Sequence, residues 1–290
     1  MKLTTLPKTL FFTSRPISWI NTAFPFAAAY LVSGGTNLAV LVVGSLFFLV
    51  AYNLLMYGVN DVFDYESDLR NPRKGSIEGA LSDTSYHHAI LTASLLVPLP
   101  FVAWLSLQGS VSANVWLAIL LFFVVAYSLK GLRFKEIPFL DSITSSLHFV
   151  GPLIYGLLLT DAALLHYWPF IAAFFLWGMA SHAFGAVQDI VPDRAGNLAS
   201  IATVLGASAT MKFVVLCYVG AVGLLIYAGG LALIVAACGL LYIAMAWPYV
   251  SLSDKESGRA NRGWRQFIWL NLITGAVVTN VLIYIALTAT

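Results

Sequence analysis

Two short segments, each at the end of a long apolar run, concentrate acidic residues, and these residues are the best suited to chemistry. The first acidic segment is residues 60–68 and the second is residues 188–193. Their acidic side chains are Asp61, Asp64, Glu66 and Asp68 in the first and Asp189 and Asp193 in the second. Carboxylates at bilayer depth are costly unless they pair or bind a cation, so both segments predict functional sites. Carboxylate oxygens suit Mg²⁺, whose coordination is often completed by phosphate and water.

Helical spacing would bring the carboxylates of the first acidic segment together. If one helix continued through it, Asp61, Asp64 and Asp68 would lie at i, i+3 and i+7, within a sector of about 60°. Asn60 and Asn53 would lie near the same face, where their amides could orient carboxylates or bind an oxygen-rich ligand. Glu66 would fall outside this face, which favours a solvated role for it.

The second acidic segment has a similar arrangement, with Asp189 and Asp193 at i and i+4 of the sixth predicted helix. Bases accompany both segments and could meet phosphate charge directly; they are Arg70, Arg73, Lys74 and Arg194. Two carboxylate clusters, Mg²⁺ and neighbouring bases together predict a site for a diphosphate.

A faint internal repeat relates the two segments. Gly58-x-Asn60-Asp61-x-x-Asp64 and Gly185-x-x-Gln188-Asp189-x-x-x-Asp193 both follow apolar helices predicted to run in the same direction. The repeat predicts a pseudo-two-fold core with a central cavity, in which the two segments bracket one ligand.

The composition indicates an all-α, polytopic membrane protein. The chain is 60% hydrophobic and only 10% charged, whereas soluble domains are about one-quarter charged. Apolar stretches near the roughly 20 residues that cross hydrocarbon recur along its whole length. We place nine spans at residues 16–34, 37–58, 88–107, 112–129, 139–160, 166–186, 211–229, 231–250 and 266–287.

The distribution of basic residues orients these spans. With nine alternating helices, one face receives all 15 Lys and Arg: Lys2, Lys8, Arg15, Arg70, Arg73, Lys74, Lys130, Arg133, Lys135, Arg194, Lys212, Lys255, Arg259, Arg262 and Arg265. The positive-inside rule places this face in the cytoplasm. We therefore expect residues 1–290 to form one transmembrane domain with a cytoplasmic amino terminus, an external carboxyl terminus and both acidic segments on the cytoplasmic side. Membrane lipid is an expected partner of the basic face, and nucleic acid is not.

The acidic segments resemble the two aspartate-rich motifs of the UbiA superfamily of intramembrane prenyltransferases. Asn60-Asp61-x-x-Asp64-x-x-x-Asp68 is similar to the first motif and Asp189-x-x-x-Asp193 to the second. The resemblance covers nearly the whole chain and implies a bundle of nine transmembrane helices with both motifs on cytoplasmic loops. It also implies that Mg²⁺ is bound by the side chains of Asn60, Asp61, Asp64, Asp68, Asp189 and Asp193.

Several further stretches resemble the lycopene elongase branch of this superfamily. They are Ser14-Arg15-Pro16-Ile17-Ser18-Trp19, Asn21-Thr22-Ala23, residues 56–68, Arg70-Asn71-Pro72-Arg73-Lys74-Gly75, residues 177–181, residues 185–189 and Ser200-Ile201-Ala202-Thr203. The branch implies a prokaryotic cell-membrane enzyme that uses dimethylallyl diphosphate to attach five-carbon units to lycopene or another apolar isoprenoid, in some cases with addition of water.

The resemblance also suggests roles for individual residues. Catalysis is assigned to Asp61, Asp64, Asp189, Asp193, Lys130 and Tyr127. Substrate binding is assigned to Asn53, Asn60, Arg73, Lys74, Arg133 and Arg15. The superfamily pattern Tyr-x-x-x-Lys is shifted by one position at Tyr127-Ser128-Leu129-Lys130, so Arg133 is an equal candidate for the role of Lys130. Tyr57 and Tyr127 would face the allylic cation, because aromatic ring faces attract cations.

Other functions fit parts of the pattern. An aromatic or lipid prenyltransferase, or an intramembrane terpene cyclase, would use the same diphosphate site with a different acceptor or none. An ion-coupled transporter would place its acids near the bilayer midplane, whereas these acids lie at the cytoplasmic rim beside bases. His182 could face the pocket, but a hydrogen-bonded core histidine is the favoured interpretation for it and for His148.

Overall fold

The fold is helical throughout the part of the chain that the computed structural model describes, which comprises residues 5–69 and 82–288. Within these residues there is no β-strand, so the all-α prediction is confirmed. Seven segments of this described part are long and apolar enough to cross a membrane. They are Leu38–Phe63, Thr84–Gln108, Val111–Ser128, Leu164–Val187, Ala207–Ala228, Ala232–Tyr249 and Asp254–Ile285.

The two other predicted spans are also helices, but they do not meet this criterion. The first predicted span corresponds to Ile20–Val32, an apolar helix of 13 residues. The fifth corresponds to Leu140–Leu158, whose sequence includes Asp141, His148 and several hydroxyl side chains. The multi-pass membrane class is therefore established, while the count of nine spans stays a prediction.

The helices pack as two compact units: Met1–Phe134 with His148–Leu164, and Lys135–Leu147 with Leu165–Thr290. The first unit contains α1 Leu6–Thr13, α2 Ile20–Val32, α3 Leu38–Leu46, α4 Tyr52–Phe63, α5 Tyr65–Asp68, α6 His87–Leu96, α7 Pro98–Gln108, α8 Val111–Ser128 and the later part of α9 Leu140–Leu158. Its core is rich in aromatic side chains. The Phe26 and Phe48 ring centroids are 5.0 Å apart, and Tyr155 is fully buried beside them.

A π-helical turn at Phe47–Ala51 joins α3 to α4. Such turns disturb the regular hydrogen-bond ladder, and inside a bilayer the affected carbonyls need other donors. The Thr22 hydroxyl donates to the Phe48 carbonyl at 2.7 Å, and the Asn53 amide donates to the same oxygen at 2.8 Å. These polar side chains therefore stabilise an irregularity in the middle of an otherwise apolar helix.

The second unit contains the start of α9 and six further helices. They are α10 Leu164–Val187, α11 Ile190–Ala195, α12 Ile201–Leu205, α13 Ala207–Ala228, α14 Ala232–Ala246 and α15 Ala260–Thr288. Its core includes stacked aromatic rings: Trp264 lies 4.7 Å from Phe267, and Trp177 lies 5.8 Å from Phe267. Two short helices, α11 and α12, lie between the long helices α10 and α13. The second acidic segment begins directly after α10 and includes most of α11.

Close packing of α9 against α2 depends on Gly156. A Cβ atom at this position would lie 2.6 Å from the Phe26 carbonyl oxygen and 3.1 Å from the Tyr30 nitrogen. Both are backbone atoms, which cannot turn aside, and overpacking of this kind costs about 1–3 kcal/mol. We expect Gly156→Ala to lower the apparent melting temperature of the purified protein in detergent, as measured by intrinsic fluorescence.

Gly223→Ala is the matched control, because Gly223 lies within helix α13 with open space where a Cβ would be. There the substitution should be neutral or stabilising by up to about 1 kcal/mol through helix propensity. Equal melting temperatures for the two variants would contradict the close approach of α9 and α2.

Candidate active site

The first acidic segment does not continue as one helix. Helix α4 ends at Phe63, Asp64 adopts φ −102° and ψ −2°, and the short α5 follows. The predicted stripe through Asp61, Asp64 and Asp68 is therefore wrong as a continuous helical face. Asp61 and Asp64 are each only 3% exposed, while the side chain of Asp68 lies outside the described part. Glu66 is exposed, as its spacing predicted.

Asp61 forms a short ion pair with Arg15, whose Nη2 atom lies 2.6 Å from Oδ1 of Asp61. Arg15 has the left-handed φ of +49°, and it precedes the 3₁₀ turn Pro16–Ser18 that leads into α2. Its guanidinium also lies over the Tyr57 ring, 4.4 Å from the centroid. This ring, which the sequence assigned to the allylic cation, therefore already contacts a cation of the protein.

Asp64 receives polar contacts from Asn60 of helix α4 and from Arg133, which follows α8. The Asn60 amide donates to Oδ2 of Asp64 at 2.6 Å and to the Ser128 hydroxyl, at the end of α8, at 2.9 Å. The Arg133 guanidinium lies 3.6 Å from Oδ1 of Asp64. Lys130, in the same turn after α8, is exposed. Of the two bases that the sequence left as equal candidates, the structure brings Arg133 to the carboxylates.

Asn53 is fully buried and holds helices together. Its amide donates to the Thr22 hydroxyl at 2.8 Å and to the carbonyls of Phe48 and Leu49 at 2.8 and 3.1 Å. These contacts commit the amide donors to packing of α2 against the π-helical turn. The substrate-binding role of Asn53 stays a prediction, and the described contacts assign its amide donors to packing.

Tyr127 is half-buried one residue before Ser128, and its ring lies 5.1 Å from the His148 ring in an edge-to-face contact. His148 is 3% exposed, and its carbonyl accepts a hydrogen bond from the Tyr52 hydroxyl at 3.1 Å. Both rings therefore belong to the packed region next to the Asn60–Ser128 hydrogen bond. This agrees with the interpretation of His148 as a core histidine.

The second acidic segment also follows a helix end. Helix α10 ends at Val187, and Asp189 caps the separate helix α11, which contains Asp193. The expected placement on the long sixth helix is therefore wrong. The i, i+4 relation remains, because the Asp193 backbone N–H donates to the Asp189 carbonyl at 2.9 Å. Both acidic residues are half-buried.

Two neighbours of these aspartates are held by other parts of the protein. The Gln188 side-chain oxygen accepts from the Asn261 amide at 2.6 Å. The Arg194 guanidinium donates to the Thr203 carbonyl through Nε and Nη2, at 3.0 and 2.6 Å, and to Asp254 through Nη1 at 2.6 Å. In this structure the Arg194 donors contact groups of the fold, and the expected contact of Arg194 with phosphate stays a prediction.

Two acidic residues that contact the helices around the second acidic segment were not predicted from the sequence. Asp141 is fully buried and contacts the start of α12, and Asp254 contacts Arg194 and the start of α13. Neither belongs to a motif. A single acid at the start of the apolar fifth span was the one available signal for Asp141.

The donor chemistry of the first acidic segment fits Mg²⁺. Two buried carboxylates and the Asn60 amide provide hard oxygen ligands of the type this ion prefers. Within residues 5–69 and 82–288, no three His, Cys, Asp or Glu side chains converge as a metal-binding cluster. Phosphate and water oxygens commonly complete such incomplete sets. Arg73 and Lys74, predicted to bind substrate, lie outside the described residues.

Comparisons with known proteins show which families and folds this chain is similar to. A profile of the UbiA prenyltransferase family matches residues 22–272. The chain is 52% identical over 279 residues to the C(50) beta-cyclic carotenoids biosynthesis protein LbtBC of Dietzia sp., covering 95% of this chain. The match spans 64% of the length of the Dietzia protein. The chain is also 45% identical over 276 residues to a lycopene elongase/hydratase of Corynebacterium glutamicum, covering 94% and 95% of the two chains.

Solved structures share the fold. A UbiA homolog from Aeropyrum pernix, in its apo form, has a TM-score of 0.65 at 21% identity and covers 96% of this chain and 98% of its own. A UbiA homolog from Archaeoglobus fulgidus bound to DMAPP and Mg²⁺ has a TM-score of 0.68 at 18% identity, covering 93% and 99%.

The Arg15–Asp61 pair gives a stability prediction. The Arg15 and Asp61 side chains are only 15% and 2% exposed, and removing one partner of a buried pair costs about 3–5 kcal/mol. We expect Arg15→Gln to lower the melting temperature of the metal-free protein markedly, because Asp61 loses a counter-charge. Adding Asp61→Asn should recover much of the loss.

The control is Arg259→Gln, which removes an ion pair with Glu256 whose side chains are 71% and 50% exposed. Exposed pairs contribute about 0–1 kcal/mol, so this variant should melt close to the wild type. An Arg15→Gln variant as stable as Arg259→Gln would contradict the buried pair.

Proposed function

Because the chain belongs to the UbiA prenyltransferase family, we propose that this prenyltransferase moves the dimethylallyl group of dimethylallyl diphosphate to an end of lycopene. The observation that carries the proposal is the pairing of two buried carboxylates, Asp61 and Asp64, with two arginines, Arg15 and Arg133. In such a site the carboxylates would bind the metal ion, and the arginines beside them would bind the diphosphate.

The choice of acceptor is supported by the relatives. The Corynebacterium protein, which matches over nearly its whole length, is named a lycopene elongase/hydratase. The name of the Dietzia protein refers to C(50) carotenoids, which are ten carbons longer than lycopene and so equal lycopene plus two five-carbon units. We propose the same acceptor class here, with lycopene as the first molecule to test.

The proposed Mg²⁺ ligands are Asn60, Asp61, Asp64 and Asp68 of the first acidic segment and Asp189 and Asp193 of the second. Their support is the oxygen chemistry of the described side chains and the structural neighbour that holds DMAPP and Mg²⁺. Bound Mg²⁺ would neutralise the charge that develops on the diphosphate leaving group. The Asn60 amide orients Asp64 for this role by donating to one of its two oxygens.

The diphosphate would receive its remaining donors from bases. Arg15 and Arg133 are the first candidates, because both guanidinium groups already lie next to the acidic side chains. A guanidinium can donate to phosphate oxygens through two parallel N–H groups. We keep Lys130, Arg73 and Lys74 as further proposed contacts with the substrate.

The reaction would break the carbon–oxygen bond of the donor and form a carbon–carbon bond to the terminal alkene of the acceptor. The leaving group takes the electron pair of the broken bond. The tertiary cation left on the acceptor then loses a proton or captures water and releases a proton from it. Tyr127 and Tyr57 are proposed to stabilise cationic character through their ring faces.

We further propose that residues 1–290 act as one membrane domain whose acidic segments face the cytoplasm. The amino terminus would be cytoplasmic and the carboxyl terminus external. This orientation gives the charged donor access from the aqueous side that supplies it, while the apolar acceptor enters from the lipid.

Expression in cells that accumulate lycopene tests the proposal. Pigments extracted from these cells should include products heavier than lycopene by one or two five-carbon units, with or without added water, by chromatography and mass spectrometry. The negative control is Asp64→Ala, which removes a proposed metal ligand. Unchanged lycopene in the presence of folded protein and dimethylallyl diphosphate would refute the acceptor.

A further inference from the structure

We propose that Asp141 and Asp254 are positioning residues, which fix the second acidic segment by holding helix α12 at both ends. This rests on the proposed function, since the second acidic segment is assigned there to Mg²⁺ binding. Neither residue lies in an aspartate-rich motif. Asp141 accepts hydrogen bonds from backbone N–H groups. Asp254 accepts hydrogen bonds from a backbone N–H group and from Arg194.

Asp141 holds the amino-terminal end of α12. Its Oδ2 atom accepts a hydrogen bond from the Ile201 N–H at 2.7 Å, and its Oδ1 atom accepts from the Ser142 N–H at 2.6 Å. The residue is 0% exposed. A fully buried carboxylate is costly unless hydrogen-bond donors compensate it, and these two N–H groups are such donors.

Asp254 holds the carboxyl-terminal side of the same short helix. Its Oδ1 atom accepts from the N–H of Ala207, the first residue of α13, at 2.7 Å. Its Oδ2 atom accepts from Arg194 at 2.6 Å. One carboxylate therefore connects the α12–α13 junction to the residue that directly follows Asp193.

Helix α12 itself completes the connection to Asp193. The Arg194 guanidinium donates twice to the Thr203 carbonyl. Thr203 also forms a capping box with Ser200, so the position of its carbonyl depends on the start of the helix. Asp141 is therefore connected to Arg194 indirectly, through α12. Asp254 forms a hydrogen bond with Arg194 itself.

The start of α9 also contacts α10, the helix that precedes the second acidic segment. The Ser142 hydroxyl lies 3.1 Å from Nδ1 of His182, which is on α10 two turns before Asp189. Asp141 and Ser142 are therefore adjacent residues that contact the helix before the acidic segment and the helix after it. A five-residue helix such as α12 is not stable alone, so these contacts determine where it lies.

The test compares Asp141→Asn and Asp254→Asn with the wild type as full-length protein in detergent. We measure the Mg²⁺ concentration that gives half-maximal thermal stabilisation at saturating dimethylallyl diphosphate. Outer contacts that orient metal ligands typically change metal affinity by about 10–100-fold. We expect the half-maximal concentration to rise by roughly 10-fold in each variant, with turnover restored at high Mg²⁺.

Glu256→Gln is the matched control, because Glu256 lies two residues from Asp254 but contacts only Ser253 and Arg259 among the described residues. Its half-maximal Mg²⁺ concentration should equal that of the wild type. Asp254 is 40% exposed, so Asp254→Asn is expected to fold and decides the question if Asp141→Asn does not.

The outcomes separate the two proposals. A wild-type Mg²⁺ dependence in Asp254→Asn, or a lower maximal rate without any change in Mg²⁺ dependence, would overturn the positioning role. A wild-type protein that dimethylallyl diphosphate and Mg²⁺ do not stabilise would instead remove the proposed function, and this role with it.

Discussion

A carboxylate buried in an apolar helix bundle must be matched by a cation or by hydrogen-bond donors, and this constraint organises the polar parts of the protein. Asp61 is matched by Arg15, whose guanidinium lies 2.6 Å away. Asp64 is matched by the Asn60 amide and, at longer range, by Arg133. Asp141 instead receives two backbone N–H groups. The first two matches place basic or amide side chains beside the carboxylates, whereas the third joins the carboxylate to backbone groups.

Asp64 and the second acidic segment lie where long helices end. Helix α4 ends just before Asp64, and α10 ends just before the second acidic segment. A helix end frees backbone groups and turns the chain, which lets side chains from several elements converge. The arginines likewise come from irregular positions: Arg15 and Arg133 have left-handed φ values of +49° and +43°. Such residues are uncommon and concentrate at functional sites, where surrounding contacts hold them.

Composition and motif spacing predicted the all-α membrane fold, the acidic residues and the family. They failed where a contact joins distant residues or where a helix stops. The stripe through Asp68 assumed an uninterrupted helix. Spacing also did not indicate that Arg194 donates to Asp254, 60 residues away, or that Asn53 donates to Thr22, 31 residues away. Asp141 binds a backbone group 60 residues away, which periodicity cannot show.

The central proposal is that carboxylates of both acidic segments bind a Mg²⁺–diphosphate ligand, and equilibrium binding of dimethylallyl diphosphate tests it most directly. Calorimetry on purified protein should show binding with Mg²⁺ and none after chelation. Asp61→Ala and Asp189→Ala should each abolish it, while Glu66→Gln, which alters an exposed neighbour, should bind as the wild type does. Binding that persists in chelator, or that is unchanged in either alanine variant, would contradict the claim.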